Sequence, residues 1–175
     1  MCWGNSVSKF QDPTLDASQV ESVLDYDAIT GEFRWKVASR NGAIRPGCRA
    51  GYVKGGYQVI SIRGRHIYAH RLAWLLVTRA WPSLFVDHLN GDKLDNRFAN
   101  LREATLQVNN QNLHGANARN KTSGLLGVTW NRGKWTAQIT IPGKGRTYLG
   151  RFTDPAMAHQ AYLEAKRKYH EGCTI

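Results

Sequence analysis

Residues 113–123, LHGANARNKTS, hold no large apolar residue after Leu113 and mix Gly, Asn, Ala and Lys. Such a stretch cannot contribute to a core, so it divides the chain into two parts that each need one of their own. A chain of 175 residues can form one ordinary domain or two small ones, and this interruption selects two. With 42% apolar residues there is material for both. The expected organisation is an N-terminal arm over 1–13, a first domain over 14–112, a linker over 113–122 and a second domain over 123–171.

The formal net charge is +11 and the isoelectric point is near 9.9, a balance suited to an acidic polymer. Distribution says more than the total. Ten Lys or Arg and no acid lie between Glu32 and Asp87, and seven and none lie between Glu103 and Asp154. A solvated surface with interspersed signs does not account for two such stretches. Cys2, Cys48 and Cys173 are odd in number, widely separated and without a C-x-x-C pair, so neither structural zinc nor a disulfide scaffold is expected, and a reducing cytoplasm is the natural compartment. The start, MCWGNSVSKFQDP, lacks the pattern of a secretory signal. The longest apolar run, Leu72 to Val77, is far short of the ~20 residues that cross a bilayer.

Chemistry concentrates in SLFVDHLNGDKLDNRFANLREATLQVNNQN. Ser83 to Val86 reads as a strand carrying Asp87 and His88 at its end, and Asn90-Gly91-Asp92 is turn chemistry. Thr105 reads as an N-cap, which places Asn109 on the first turn of a helix over 106–112. Adjacent strand residues point to opposite faces, so Asp87 and His88 divide the labour. The Asp87 carboxylate and the Asn109 amide oxygen suit a hard cation such as Mg2+ or Mn2+. His88, with an ordinary pKa of ~6.5, can take a proton from water near neutral pH. Asn100 is expected to hold the loop and orient the imidazole. Taken alone, a D-H pair is common and an Asn-rich turn is usually only a turn.

From Tyr26 to Asn112 the chain resembles the phage-type HNH endonucleases, on YDAITGEFRW, GYQVISIRGRHIYAHRLAW, VDHLNGDKLDNRFANLR and the NNQN end. The resemblance implies a ββα-metal fold with His88 as general base, Asn100 as a structural residue, and Asp87 with Asn109 binding one divalent metal. Asparagine at the third motif position departs from the commoner histidine. Upstream, Tyr57 to Ile62 and Arg65 to Ala69 read as strands around Arg63-Gly64, a basic hairpin, and His70 to Arg79 reads as a helix. Arg63, Arg65 and Arg71 are candidate DNA contacts. His70 reads as a packing or capping residue.

Beyond the linker, Trp135, Ala137, Ile139 and Ile141 alternate with Lys134, Thr136, Gln138 and Thr140, the pattern of a half-buried strand. Gly143-Lys144-Gly145 turns into a third strand over Arg146 to Phe152. Asp154-Pro155 opens a helix whose Ala158, Ala161, Tyr162, Ala165 and Tyr169 form a stripe of mostly small residues. This stretch resembles the plant ethylene-response-factor type of DNA-binding domain on SGLLGV, GKWTAQI, YLGRF and AHQAYLEA. The resemblance implies that the outer sheet face enters the major groove, with Gln138, Thr140, Arg146 and Tyr148 at matching positions and Arg132 and Lys134 beside them. Trp130 reads equally as core or contact.

The fold class expected is α+β, a ββα-metal nuclease domain followed by a three-stranded antiparallel sheet on one helix. The function expected is a sequence-directed, homing-type DNA endonuclease, monomeric, acting on double-stranded DNA in the bacterial host's cytoplasm, with no small-molecule cofactor and no membrane. A DNA-binding regulator on a nuclease fold that has lost its chemistry, and an RNA-binding protein, are the alternatives.

Overall fold

Asp16 and Gln19 stand three residues apart and close the first helix on itself. The Asp16 carboxylate accepts from the Gln19 amide at 2.8 Å, and the Gln19 side chain accepts from the Asp16 amide at 3.1 Å. A capping box of this kind is worth about 1 kcal/mol. It starts α1 (Ala17–Glu21), which turns Val20 into a core shared with Leu15. The computed structural model describes residues 15–40, 42–117 and 120–175, so the arm expected at 1–13 lies outside the described residues.

In the first unit, β1 (Leu24–Tyr26) pairs antiparallel with β2 (Phe33–Trp35), burying Leu24 and Phe33. A three-stranded sheet follows, with β3 (Tyr52–Lys54) and β5 (Arg65–Tyr68) flanking β4 (Tyr57–Ile62). The β4–β5 turn has φ of 51° at Arg63 and 77° at Gly64, the left-handed pair whose twist matches the strands it joins. Next, α2 (Ala69–Thr78) lays Leu72 and Leu75 on the core beside Ile60 and Ile67, and Arg79 ends it with a left-handed φ of 64°. The unit closes with β6 (Phe85–His88) and β7 (Leu101–Ala104), an antiparallel pair joined through a 3-10 turn at Phe98–Asn100.

The first unit ends at Thr105, and the second begins at Leu106. The sequence reading carries the first domain to residue 112, so the helix bearing Asn109, α3 (Leu106–Gln111), falls on the other side of the boundary. The reason is local. Gln111 Oε1 accepts from the Gly172 amide at 3.0 Å, and Lys166 Nζ donates to the Leu113 carbonyl, so the C-terminal segment claims this helix. The rest of the second unit has β9 (Lys134–Ile141) between β8 (Val128–Asn131) and β10 (Gly145–Phe152), all antiparallel, with α4 (Pro155–Tyr169) across the sheet. Ala137, Ile139 and Ile141 meet Ala158, Tyr162 and Ala165, as the small stripe on α4 requires. Asp154 caps α4 by accepting from the Ala156 amide at 2.7 Å, with Pro155 in the first turn.

Gly127, just before β8, has a φ of 70°, and a Cβ there would stand 1.9 Å from the Tyr162 ring. Left-handed strain and overpacking would then add, at about 1–3 kcal/mol each. Gly127→Ala should therefore lower the melting transition of the second unit by the equivalent of about 3 kcal/mol or more. Calorimetry of Gly127→Ala beside the wild type checks this, and an unchanged melting profile would contradict the packing described.

Candidate active site

The apolar run before Asp87 becomes β6, and its partner β7 fixes what each side chain faces. Asp87 lies opposite Arg102 and His88 opposite Leu101. Burial extends to both faces of the strand end, with Asp87 6% exposed and His88 4%. On one face, Arg102 donates from Nε at 3.1 Å and from Nη2 at 2.9 Å, both to Asp87 Oδ2. On the other, the His88 ring sits edge-on to His70 at 5.0 Å between centroids and tilted to Tyr57 at 6.2 Å. Tyr68 stacks on His70 at 5.3 Å, and Lys93 Nζ lies 4.7 Å over the Tyr57 ring.

Burial pushes the His88 imidazole below its ordinary value, against a smaller upward pull from its hydrogen bond with Asn96 and from Asp87, Asp92 and Asp95. The same desolvation holds His70 well below the ordinary value, with His88 and Arg71 acting in the same direction. Both rings are therefore neutral at pH 7. A neutral imidazole carries a lone pair, the first requirement of a proton acceptor.

The loop between β6 and β7 is held by Asn100, which is itself 8% exposed. Its Oδ1 accepts from the Asn90 amide at 3.0 Å, and its Nδ2 donates to Asn90 Oδ1 at 3.0 Å and to the Asp95 carbonyl at 2.9 Å. Asp95 in turn receives the Arg97 guanidinium, which draws its carboxyl down to about 2. The imidazole itself is met by a different amide: Asn96 Oδ1 lies 3.4 Å from His88 Nε2. Of the two tasks expected of Asn100, holding the loop and orienting the imidazole, its hydrogen bonds serve the first, since its amide is engaged with Asn90 and the Asp95 carbonyl.

Asp87, His88 and Asn100 thus come together in one hairpin. Asn109 is half-buried on α3 in the second unit. No cluster of three or more His, Cys, Asp or Glu able to hold a metal occurs among the described residues. A site built on one carboxylate and amide or water oxygens is compatible with that finding, because Mg2+ keeps several waters and takes only one or two protein carboxylates.

Of the expected DNA contacts in the first unit, Arg63 and Arg65 are exposed at the β4–β5 turn. Arg71 is not. It is 4% exposed and donates to the carbonyls of Pro82 at 3.1 Å and Leu84 at 3.3 Å, tying α2 to the segment that leads into β6. Desolvation lowers its pKa to about 10. In the second unit the register places Arg146 opposite Thr140 and Tyr148 opposite Gln138, so these four share one face. Arg132 and Lys134 are exposed at the β8–β9 turn, and Trp130 is half exposed, packed against Trp135 at 4.8 Å.

Residues 67–111 match the HNH endonuclease family. The match takes in α2, the β6–β7 pair and α3, and therefore every residue of the D-H…N…N motif. The chain is also 30% identical over 69 residues to Protein 3.8 of Escherichia phage T7, an alignment covering 38% of this chain and 55% of that protein. It thus spans about half the length of that relative. No solved structure matches. No helix among the described residues is long and apolar enough to cross a membrane.

Four residues around the site escaped the sequence reading: Tyr57, Gln58, Asn96 and Arg102. Gln58 had a signal, since strand alternation places it on the face of Ile60 and Ile62, where a polar side chain needs a partner.

His70 supplies a test of this buried cluster. Its pKa in the fold lies below the ~6.5 of an unfolded histidine, so unfolding takes up a proton as pH falls. The stability it contributes is complete above ~6.5 and is lost as pH drops from there toward its folded value. His70→Phe should therefore flatten the fall in melting temperature between about pH 7 and pH 5, leaving the part due to His88. Thermal melts at half-unit pH steps check this, and equal slopes in both proteins would contradict it.

Proposed function

We propose that the chain is a metal-dependent DNA endonuclease of the homing type. The observation that carries the reading is the buried, neutral His88 next to Asp87 at the end of β6, inside the segment that matches the HNH endonucleases. His88 accepts a proton from water, the resulting hydroxide oxygen bonds to phosphorus, and the bond from phosphorus to the departing sugar oxygen breaks. Asp87, in the β6–β7 hairpin, is the proposed metal ligand. A divalent cation held there would stabilise charge on the departing oxygen. Arg102 holds the Asp87 carboxylate in position, and Asn100 keeps the loop closed beneath His88.

The second unit is the proposed reader of the DNA. Its support is the shared face of Gln138, Thr140, Arg146 and Tyr148, with Arg132 and Lys134 at the adjoining turn. From residue 118 onward the chain holds ten Lys or Arg and three acids, a local balance of +7. Arg63 and Arg65 add phosphate contacts from the first unit. Arg71 has no part in that set, because its guanidinium is occupied with the Pro82 and Leu84 carbonyls.

His88→Ala should lose cleavage of duplex DNA by ~100-fold to 10,000-fold while binding it with near-wild-type affinity. Chelation of divalent metal should abolish cleavage in the wild type, and Asp87→Asn should do the same without unfolding the protein. Plasmid nicking and gel-shift assays in Mg2+ check both, and a His88→Ala protein that cuts like wild type would refute the base assignment. Arg146→Ala should weaken duplex binding and lower the slope of log affinity against log salt by about 0.9 if the arginine meets a phosphate, or cost ~1–3 kcal/mol of site preference if it meets a base. Anisotropy titrations across a salt series, on target and random duplexes, read both quantities. No change in any of them would remove the sheet face from the account.

A further inference from the structure

We infer that Gln58, on β4 and outside the segment that matches the HNH family, is a positioning residue that locks His88 in its Nε2–H tautomer and leaves Nδ1 as the proton acceptor. The inference rests on the nuclease reading only for the use made of that nitrogen.

A side-chain amide can present either its oxygen or its NH2 group to a neighbour, and its partners decide which. Two main-chain carbonyls, which can only accept, settle the matter here. Gln58 faces the Ala50 carbonyl at 2.8 Å, so its Nε2 is at that end and its Oε1 points to Asn96. Asn96 faces Gln58 Oε1 at 2.9 Å and the Leu94 carbonyl at 3.2 Å, both acceptors, so its Nδ2 lies there. Its Oδ1 is left facing His88 Nε2 at 3.4 Å, a length at which catalytic hydrogen bonds of unliganded enzymes often stand. An amide oxygen opposite an imidazole nitrogen calls for hydrogen on that nitrogen. A neutral ring has one N–H, so the lone pair is on Nδ1.

Burial makes the chain of amides binding. Gln58 is 6% exposed, Asn96 1% and His88 4%, so bulk water cannot replace a lost partner, and an unpaired group there costs about 1–3 kcal/mol. Reversing Asn96 would set its NH2 group against the imidazole and its oxygen against two acceptors. The rings of His70 and Tyr57 pack against His88 and restrict its rotation. A contact on the three-stranded sheet therefore reaches the strand end that carries the proposed base.

The test is the tautomer itself, read from two-bond 1H–15N correlations of 15N-histidine-labelled full-length protein at a pH where the ring is neutral, with the His88 signals identified by their loss in His88→Asn. Wild type should show the Nε2–H form alone. Gln58→Leu and Asn96→Leu should give mixed tautomers. On supercoiled plasmid DNA with Mg2+, Gln58→Leu should lower kcat by about tenfold or more with KM little changed, as expected when the base is misaligned and binding is not. A wild-type His88 in the Nδ1–H form would overturn the inference, as would a Gln58→Leu protein that melts like wild type and keeps the wild-type His88 spectrum. Should Gln58→Leu fail to fold, the wild-type spectrum and that of the more conservative Gln58→Met decide. Wild-type protein that shows the expected tautomer but cuts no DNA would count against the nuclease reading and leave this inference standing.

Discussion

The pairing of β6 with β7 is the constraint on which the site depends. Because side chains alternate along a strand, one register sends Asp87 toward Arg102 and His88 toward the aromatic cluster, and a slip by one residue would exchange them. Exchange would be costly on both sides. The Asp87–Arg102 pair is buried at the carboxylate, and breaking such a pair leaves an uncompensated charge worth about 3–5 kcal/mol. His88 would leave the Asn96 amide and the rings of Tyr57 and His70 for a position beside a guanidinium. Core packing at Val86 and Leu101, adjacent to both residues, enforces the same register.

Polar groups concentrated at a strand end need partners, and this chain provides them from three places. Asn100 ties the loop to its own main chain, Asn96 meets the imidazole, and Gln58 on a separate sheet orients Asn96. Arg71 extends the support backward by holding the carbonyls of Pro82 and Leu84, the residues that feed the chain into β6. A neutral His88 follows from this enclosure, since desolvation outweighs three nearby carboxylates that would otherwise favour the charged form. The site is thereby set for proton acceptance at neutral pH rather than for electrostatic binding by a charged imidazole.

Much of this was legible along the chain, where local chemistry decided the outcome. The apolar run and turn around Asp87-His88, the Arg63-Gly64 hairpin, and Asp154-Pro155 opening α4 all depend on neighbours within a few residues. What escaped depends on residues distant in sequence. Arg71 reads as a free cation until the carbonyls that claim it are known. Lys166 lies outside the apolar stripe expected on α4 yet is 1% exposed, and its ammonium donates to the Leu113 carbonyl. The helix carrying Asn109 follows the nuclease motif in sequence but is held by Gly172, more than sixty residues on. Partner choice over such separations is set by packing, which periodicity does not encode.

The central claim is that water, activated at this strand end, is the nucleophile that opens a phosphodiester bond. Digestion of duplex DNA by the purified chain in 18O-labelled water, with Mg2+ present and the products weighed by mass spectrometry, tests it most directly. The account predicts that each newly formed terminal phosphate carries one 18O atom and that no product forms without the cation. Cleavage products without the label, or no cleavage of DNA under any divalent metal, would contradict it.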